Sequence, residues 1–226
     1  MSRLLIDLQG DWKVPALNGD EPVTSRVNFL GDTTVPSWLT TPSGTPSITG
    51  TKRLAVTTGA TIGNQAQFVG PAFDTSAFVA MWLRFKSLSF SSQSVNVDVA
   101  ISGSGGSGVI LRQLATDATA TVIIGGATYP IPYQITKNGN MAGNRRDIGL
   151  LILPKIAASG GYGFDRNAEV WVTEGRELMA GLTKRPTDGT PLPWVGGSVS
   201  PRVYATTTVA SAQHFQFAEY EFSAWI

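Results

Sequence analysis

The chain has 226 residues and a formal net charge of +1, and only 15% of its residues are charged, against about 25% in an average soluble domain. It contains no cysteine and one histidine, which excludes disulfide scaffolds, cysteine-based zinc sites and thiol catalysis. Ten Phe and six Trp exclude a disordered chain. No basic stripe marks a nucleic-acid surface, so we expect no nucleic acid as a partner.

The first 28 residues show no sustained hydrophobic period. We interpret residues 1–28 as an extended N-terminal arm that docks onto a partner, or alternatively as a first edge strand of the main domain. The candidate docking residues of the arm are Leu4, Leu5, Ile6, Leu8 and Trp12. Their apolar stretch is too short for a signal peptide and no cleavage site follows it, so we expect synthesis in a host cytoplasm.

From residue 29 onward, short segments of alternating apolar and polar residues are separated by Gly and Pro, a pattern typical of half-buried strands. In the last segment the aromatic residues change phase, which predicts a bulge near Ala218. Only residues 176–182 have helical character, and no apolar run is long enough to cross a membrane. The predicted strands are 51–58, 78–86, 95–101, 109–114, 119–124, 127–133, 148–153, 168–173 and 215–224.

Many short strands with almost no helix predict an all-β sandwich or jelly roll in one domain. Three stretches resemble the concanavalin A-like lectin/glucanase superfamily in its laminin-G-like form: the run from Phe29 to Leu54, FVAMWLRFK at 78–86 and VWVTEGREL at 170–178. The closing strand at 217–226 is also similar. The resemblance covers residues 29–226 and implies a two-sheet antiparallel β-sandwich of concanavalin A-like jelly-roll type.

Glucanases of the family that the chain resembles carry the motif Glu-x-Asp-x-x-Glu, in which one carboxylate is the nucleophile and another the acid/base. The corresponding positions here are Glu169, Trp171 and Glu174. Because Trp171 replaces the central Asp, we interpret this segment as a packed strand and predict no catalytic residue.

Three further patterns favour structural over chemical roles. Gly103, Gly105 and Gly108 match G-x-G-x-x-G, but a strand-like segment follows where a dinucleotide site needs a helix, so we predict a hairpin tip. His214 lacks a nucleophile elbow and is interpreted as a polar residue at the start of the last strand. We predict no metal or cofactor, although the resemblance leaves calcium open. The loop residues considered for calcium are Asp32, Asp165, Asn167 and Asp188.

Sugar binding uses an exposed aromatic ring flanked by polar side chains, and two loops offer this combination. The candidate glycan-binding residues are Tyr162, Asp165, Arg166, Asn167 and Trp194. In the alternative interpretation, these aromatic residues cover the ends of the sandwich or an oligomer contact.

The chain also resembles bacteriophage decoration, fibre and tail proteins in its low charge and its Ser/Thr/Gly-rich β segments. We therefore predict a non-enzymatic structural or attachment protein of a virion. Its expected partners are copies of itself, other virion proteins and a surface glycan, with no membrane. The alternative is a carbohydrate-binding module or a glycan-cleaving enzyme of the lectin/glucanase fold, in which carboxylates from separate strands meet.

Overall fold

The protein is described by a computed structural model, whose described residues form sixteen β-strands and no helix. They are residues 23–29, 33–35, 41, 43–74, 80–103, 108–124, 126–135, 145–154, 168–175, 177–182 and 198–225. Within these ranges no helix exists that could cross a membrane. The predicted all-β class is confirmed.

The strands belong to two antiparallel sheets that pack face to face. In chain order they are β1 (Val23–Asn28), β2 (Thr45–Ile48), β3 (Leu54–Thr57), β4 (Gln65–Val69), β5 (Phe73–Asp74), β6 (Ala80–Phe90), β7 (Val95–Gly103), β8 (Gly108–Gln113), β9 (Thr121–Ile124), β10 (Ala127–Pro130), β11 (Arg146–Pro154), β12 (Ala168–Glu174), β13 (Glu177–Leu182), β14 (Ser198–Thr207), β15 (His214–Phe217) and β16 (Glu219–Trp225).

The nine-stranded sheet has the order β13-β12-β11-β6-β15-β3-β2, with β16 also paired to β6 and β1 paired to the outer side of β16. The seven-stranded sheet has the order β10-β9-β8-β7-β14-β4, with the short β5 also paired to β14. Residues on the inner faces of both sheets form one continuous hydrophobic core.

An aromatic cluster joins the two sheets at the centre of this core. The ring of Phe68, from the seven-stranded sheet, meets the rings of Phe85, Phe217 and Tyr220, from the nine-stranded sheet, at centroid distances of 5.8, 5.1 and 5.2 Å. All three contacts are edge-to-face, the arrangement that aromatic rings prefer.

The terminal strand is interrupted at Ala218, where the change of phase predicts a bulge. Phe217 and Tyr220 both point into the core although they are three residues apart, where strict alternation would place them on opposite faces. In β6, Phe85 and Leu88 are likewise both buried and three residues apart, and Tyr220 lies opposite Phe85. Pairing with β6 therefore keeps one register along both β15 and β16. The irregularity in β6 lies at Ser87, which has a φ of 54° and forms part of a bulge against β11.

The helical character predicted for residues 176–182 is wrong, because Glu177–Leu182 forms strand β13 on the edge of the nine-stranded sheet. The turn from β12 to β13 contains Gly175, whose φ of 62° favours glycine. Pairing with β12 outweighs the weak local preference for helix. The hairpin implied by the family resemblance at 170–178 is the structure found.

Part of the predicted N-terminal arm lies in the sheet: Val23–Asn28 pairs antiparallel with β16 and forms an edge strand. The docking residues Leu4, Leu5, Ile6, Leu8 and Trp12 lie outside the described residues, so their role in docking stays a prediction.

Candidate functional site

The outer face of the seven-stranded sheet contains a depression of about 400 Å³. Along β7, residues 95, 97, 99 and 101 point into the core, so the alternate residues face outward. The described residues that line the depression are Gln65, Asn96, Asp98, Ala100, Ser102, Ile110, Arg112, Leu114, Tyr204 and Thr206.

Strand register places five polar side chains in one row across this face. Tyr204 of β14 is opposite Gln67 on one side and Asp98 on the other. Asp98 is opposite Arg112, which is opposite Thr121. Neighbouring strands lie about 4.8 Å apart, so the row presents a hydrogen-bonding group at each of five regular steps.

Asp98 and Arg112 form a bidentate ion pair at the middle of the row. Nε of Arg112 donates to Oδ1 of Asp98 at 2.7 Å, and Nη2 donates to Oδ2 at 2.6 Å. The hydrogen bond to Asp98 raises the pKa of Arg112 above its ordinary value, against the opposing effect of burial. The Arg112 side chain remains 41% exposed, so Nη1 of Arg112 and the second lone pairs of Asp98 are available to ligand hydroxyls.

Tyr204 is positioned by its neighbour on the same face of β14. Nη1 of Arg202 donates to the phenolic oxygen of Tyr204 at 2.8 Å. The phenolic oxygen accepts this bond, so its own hydrogen stays available to donate to a ligand. The half-buried Tyr204 therefore combines an aromatic surface with a hydroxyl donor.

The structure does not bring the glucanase-like positions together. Glu169 and Glu174 belong to β12 in the other sheet, and β12 pairs with β11 without a register shift. Positions five residues apart in an uninterrupted strand lie on opposite faces. Glu174 is instead 3.5 Å from Nη1 of Arg146. Trp171, which replaces the central Asp of the motif, is half-buried.

The other predicted patterns occupy structural positions. β7 ends at Gly103 and β8 begins at Gly108 as its antiparallel partner, which is the expected hairpin. His214 begins β15, its backbone N–H donates to Oγ of Ser91 at 2.9 Å, and burial lowers the pKa of its imidazole. In the described part of the chain, no three acidic or histidine side chains cluster as a metal site would require.

The loop residues predicted to bind glycan or calcium lie outside the described residues, and their roles stay predictions. They are Tyr162, Asp165, Arg166, Asn167 and Trp194 for glycan, and Asp32, Asp165, Asn167 and Asp188 for calcium.

Strand β14, which carries Tyr204 and Arg202, is absent from the strands that the sequence predicts. Its alternation of buried Val203 and Ala205 with outward polar residues is a strand pattern, but Pro201 argues against a central strand. The structure accommodates this proline because its carbonyl accepts from the N–H of Gly70. The nitrogen of Pro201 points to the same side as its carbonyl, toward the gap between β4 and β5. No described strand needs a hydrogen bond from that nitrogen there.

The fold is similar to solved lectin structures. The Emp47p carbohydrate recognition domain has a TM-score of 0.59 and 10% identity, over 88% of this chain and 94% of that one. The Bauhinia forficata lectin in complex with GalNAc has a TM-score of 0.53 and 12% identity, over 90% and 98%. Arcelin-5, a lectin-like defence protein from Phaseolus vulgaris, has a TM-score of 0.53 and 11% identity, over 89% and 98%.

No protein-family model matches the chain, and no curated protein sequence matches it either. At such low identities the structural likeness concerns the fold. It confirms the predicted two-sheet antiparallel sandwich of the lectin-like, concanavalin A-like jelly-roll type.

Proposed function

We propose that the chain is a carbohydrate-binding protein without enzymatic activity and that the depression on the seven-stranded sheet binds the glycan. The observation that carries this proposal is the placement of the Tyr204 ring beside Asn96, Asp98 and Arg112 in one open depression. A sugar needs several donors and acceptors for its hydroxyls and an apolar surface for its C–H groups. The fold shared with lectins, one of them solved with GalNAc, supports the same function.

We propose that the depression does not catalyse hydrolysis, because its described lining holds too few carboxyl groups. Most glycoside hydrolases use two carboxyl groups about 5–9.5 Å apart. Among the described lining residues, Asp98 is the one carboxylate, and both of its oxygens accept hydrogen bonds from Arg112. This arrangement favours binding over cleavage.

A glycan array followed by calorimetric titration of its best oligosaccharide tests the site. We expect Tyr204→Ala and Asp98→Asn to weaken binding about tenfold or more, because each removes a group that faces the sugar. Thr128→Ala is the matched control, since Thr128 is exposed on β10 and outside the depression. Wild-type affinity in both folded variants, or no glycan bound by the intact protein, would contradict the proposal.

We further propose that glycan binding serves attachment of a virion, with the chain assembled as a homo-oligomer in contact with other virion proteins. The support is compositional: a charged fraction of 15% leaves much neutral surface for subunit packing. Light scattering of the purified chain is expected to give a mass of three or more subunits. A strict monomer that binds neither glycan nor a virion protein would overturn this role.

A further inference from the structure

We infer that the depression selects acidic saccharides and that Arg202 binds the carboxylate of a uronic acid. This inference rests on the glycan binding proposed above and names the chemical class of the ligand. Arg202 itself lies beside the depression on β14, two positions before Tyr204.

The first support is the balance of charge on this face. Three charged side chains stand at the described outward positions of β4, β7, β8 and β14, namely Asp98, Arg112 and Arg202. Asp98 and Arg112 neutralise each other through their bidentate ion pair. No ion pair between Arg202 and a carboxylate occurs among the described side chains, so Arg202 brings to this face a positive charge that those side chains do not neutralise.

The second support is the set of hydrogen bonds made by the Arg202 guanidinium. Nη1 donates to the phenolic oxygen of Tyr204, the one hydrogen-bond partner of this group in the described part of the chain. Nε is buried and has no partner. An unsatisfied buried donor is costly, so an acceptor that reaches it, after a small rotation of the guanidinium, gives a net gain on binding.

The third support is the geometry left open once Nη1 is engaged. Nε and Nη2 form the planar edge of arginine that matches the two oxygens of a carboxylate. The residues opposite Arg202 on the neighbouring strands are Val69 and Ala100, so no acidic side chain competes across the strands. Ala100 also lines the depression, so Arg202 lies directly opposite a residue of its wall.

Calorimetric titration of the wild-type protein with trigalacturonate and with its methyl ester tests the inference. The two ligands share every ring and hydroxyl and differ in the charge of their carboxyl groups. We expect the acid to bind about tenfold or more tightly than the ester, as for hydrogen bonds to charged groups. The difference should shrink as salt is raised from low to physiological ionic strength and beyond.

Variants at Arg202 identify the residue responsible. Arg202→Gln is expected to weaken binding of the acid more than binding of the ester, so that the ratio of the two affinities falls to about one; ester binding also weakens to the extent that Tyr204 loses the hydrogen bond from Nη1 of Arg202. Arg202→Lys should keep part of the preference, because it retains the charge but loses the planar edge. The matched control is Arg145→Gln, which removes the same charge from an exposed residue and should leave the preference intact. Thermal unfolding checks that each variant folds.

The outcomes separate this inference from the proposed function. Equal affinity for acid and ester, or a preference that survives in folded Arg202→Gln, overturns acid selection and leaves glycan binding standing. If neutral oligosaccharides bind and trigalacturonate does not, acid selection is likewise overturned and glycan binding still stands. Failure of every oligosaccharide to bind overturns the proposed function and acid selection with it.

Discussion

The outer faces of the two sheets differ in how far the side chains at their centres are exposed. On the seven-stranded sheet, Asp98, Arg112 and Tyr204 stay partly exposed around an open depression. On the nine-stranded sheet, the outward residues Trp82 and Leu151 are 6% and 3% exposed. Both faces belong to strands with the same alternation, so secondary structure does not distinguish them. Packing separates a face that stabilises the protein from a face that can receive a ligand.

Around Gly149 the outer face of the nine-stranded sheet is closely packed. A Cβ atom built on Gly149 would overlap Oγ1 of Thr173 and would lie 2.9 Å from the carbonyl oxygen of Leu83. The guanidinium of Arg84 lies over the Trp82 ring at 4.8 Å, an attractive cation–π contact. Glycine at position 149 therefore makes room for the neighbouring strand's threonine.

The largest expected effect comes from truncating one aromatic residue on each face. Trp82→Ala should lower the free energy of unfolding by about 3–5 kcal/mol, as for other buried aromatic residues. Tyr204→Ala should lower it by about 1 kcal/mol, because Tyr204 is only half-buried. Urea unfolding measures both, and equal losses would break the distinction between the faces.

A smaller effect is expected from adding one methyl group to the compact face. Gly149→Ala should cost about 1–3 kcal/mol, because the new Cβ meets a backbone oxygen that cannot move aside. The matched control is Gly50→Ala, where nothing lies within 4 Å of the added carbon, and we expect a change within about 0.5 kcal/mol. Wild-type stability in Gly149→Ala would show that this face is loosely packed.

The smallest effect concerns pH and again belongs to the nine-stranded sheet. Burial lowers the pKa of His214 below its ordinary 6.5. The unfolded chain therefore takes up this proton at a higher pH than the folded chain does. Stability is then highest above pH 6.5 and falls as pH decreases through the folded pKa.

His214→Gln tests this dependence, because His214 is the only histidine in the chain. We expect the urea midpoint to fall less between pH 7.5 and pH 5.5 in the variant than in the wild-type protein. Glycan affinity should be the same in both proteins at both values, since His214 does not line the depression. A glycan affinity that changes with His214 would link the two faces and contradict their separation.

Many of the strands could be predicted from alternation in the sequence, but alternation alone was not sufficient, since β4 alternates without interruption and is absent from the predicted strands. Val95, Val97 and Val99 alternate with polar residues, and β7 forms there. Strand β14 has a similar pattern, but Pro201 conceals it until the gap between β4 and β5 is known. Residues 177–182 form a strand only because β12 supplies a partner.

The candidate site divides in the same way. The pattern of β7 places Asp98 on an outward face, and that of β8 does the same for Arg112, but neither pattern reveals what each residue faces. Arg202 and Tyr204 lie about a hundred positions further along the chain, and the register between β14 and β7 brings them beside Asp98.

Alternation along the chain predicts the all-β class and, in strands such as β7, which residues face the core. Both follow from a period of two and from the free energy of burying one face of a strand. The pairing of distant strands puts Asp98, Arg112 and Tyr204 in one row, and packing buries Trp82 and Leu151 on the other sheet while this row stays partly exposed. The physical reason is that strand order and register depend on long-range pairing and packing, which local alternation does not encode.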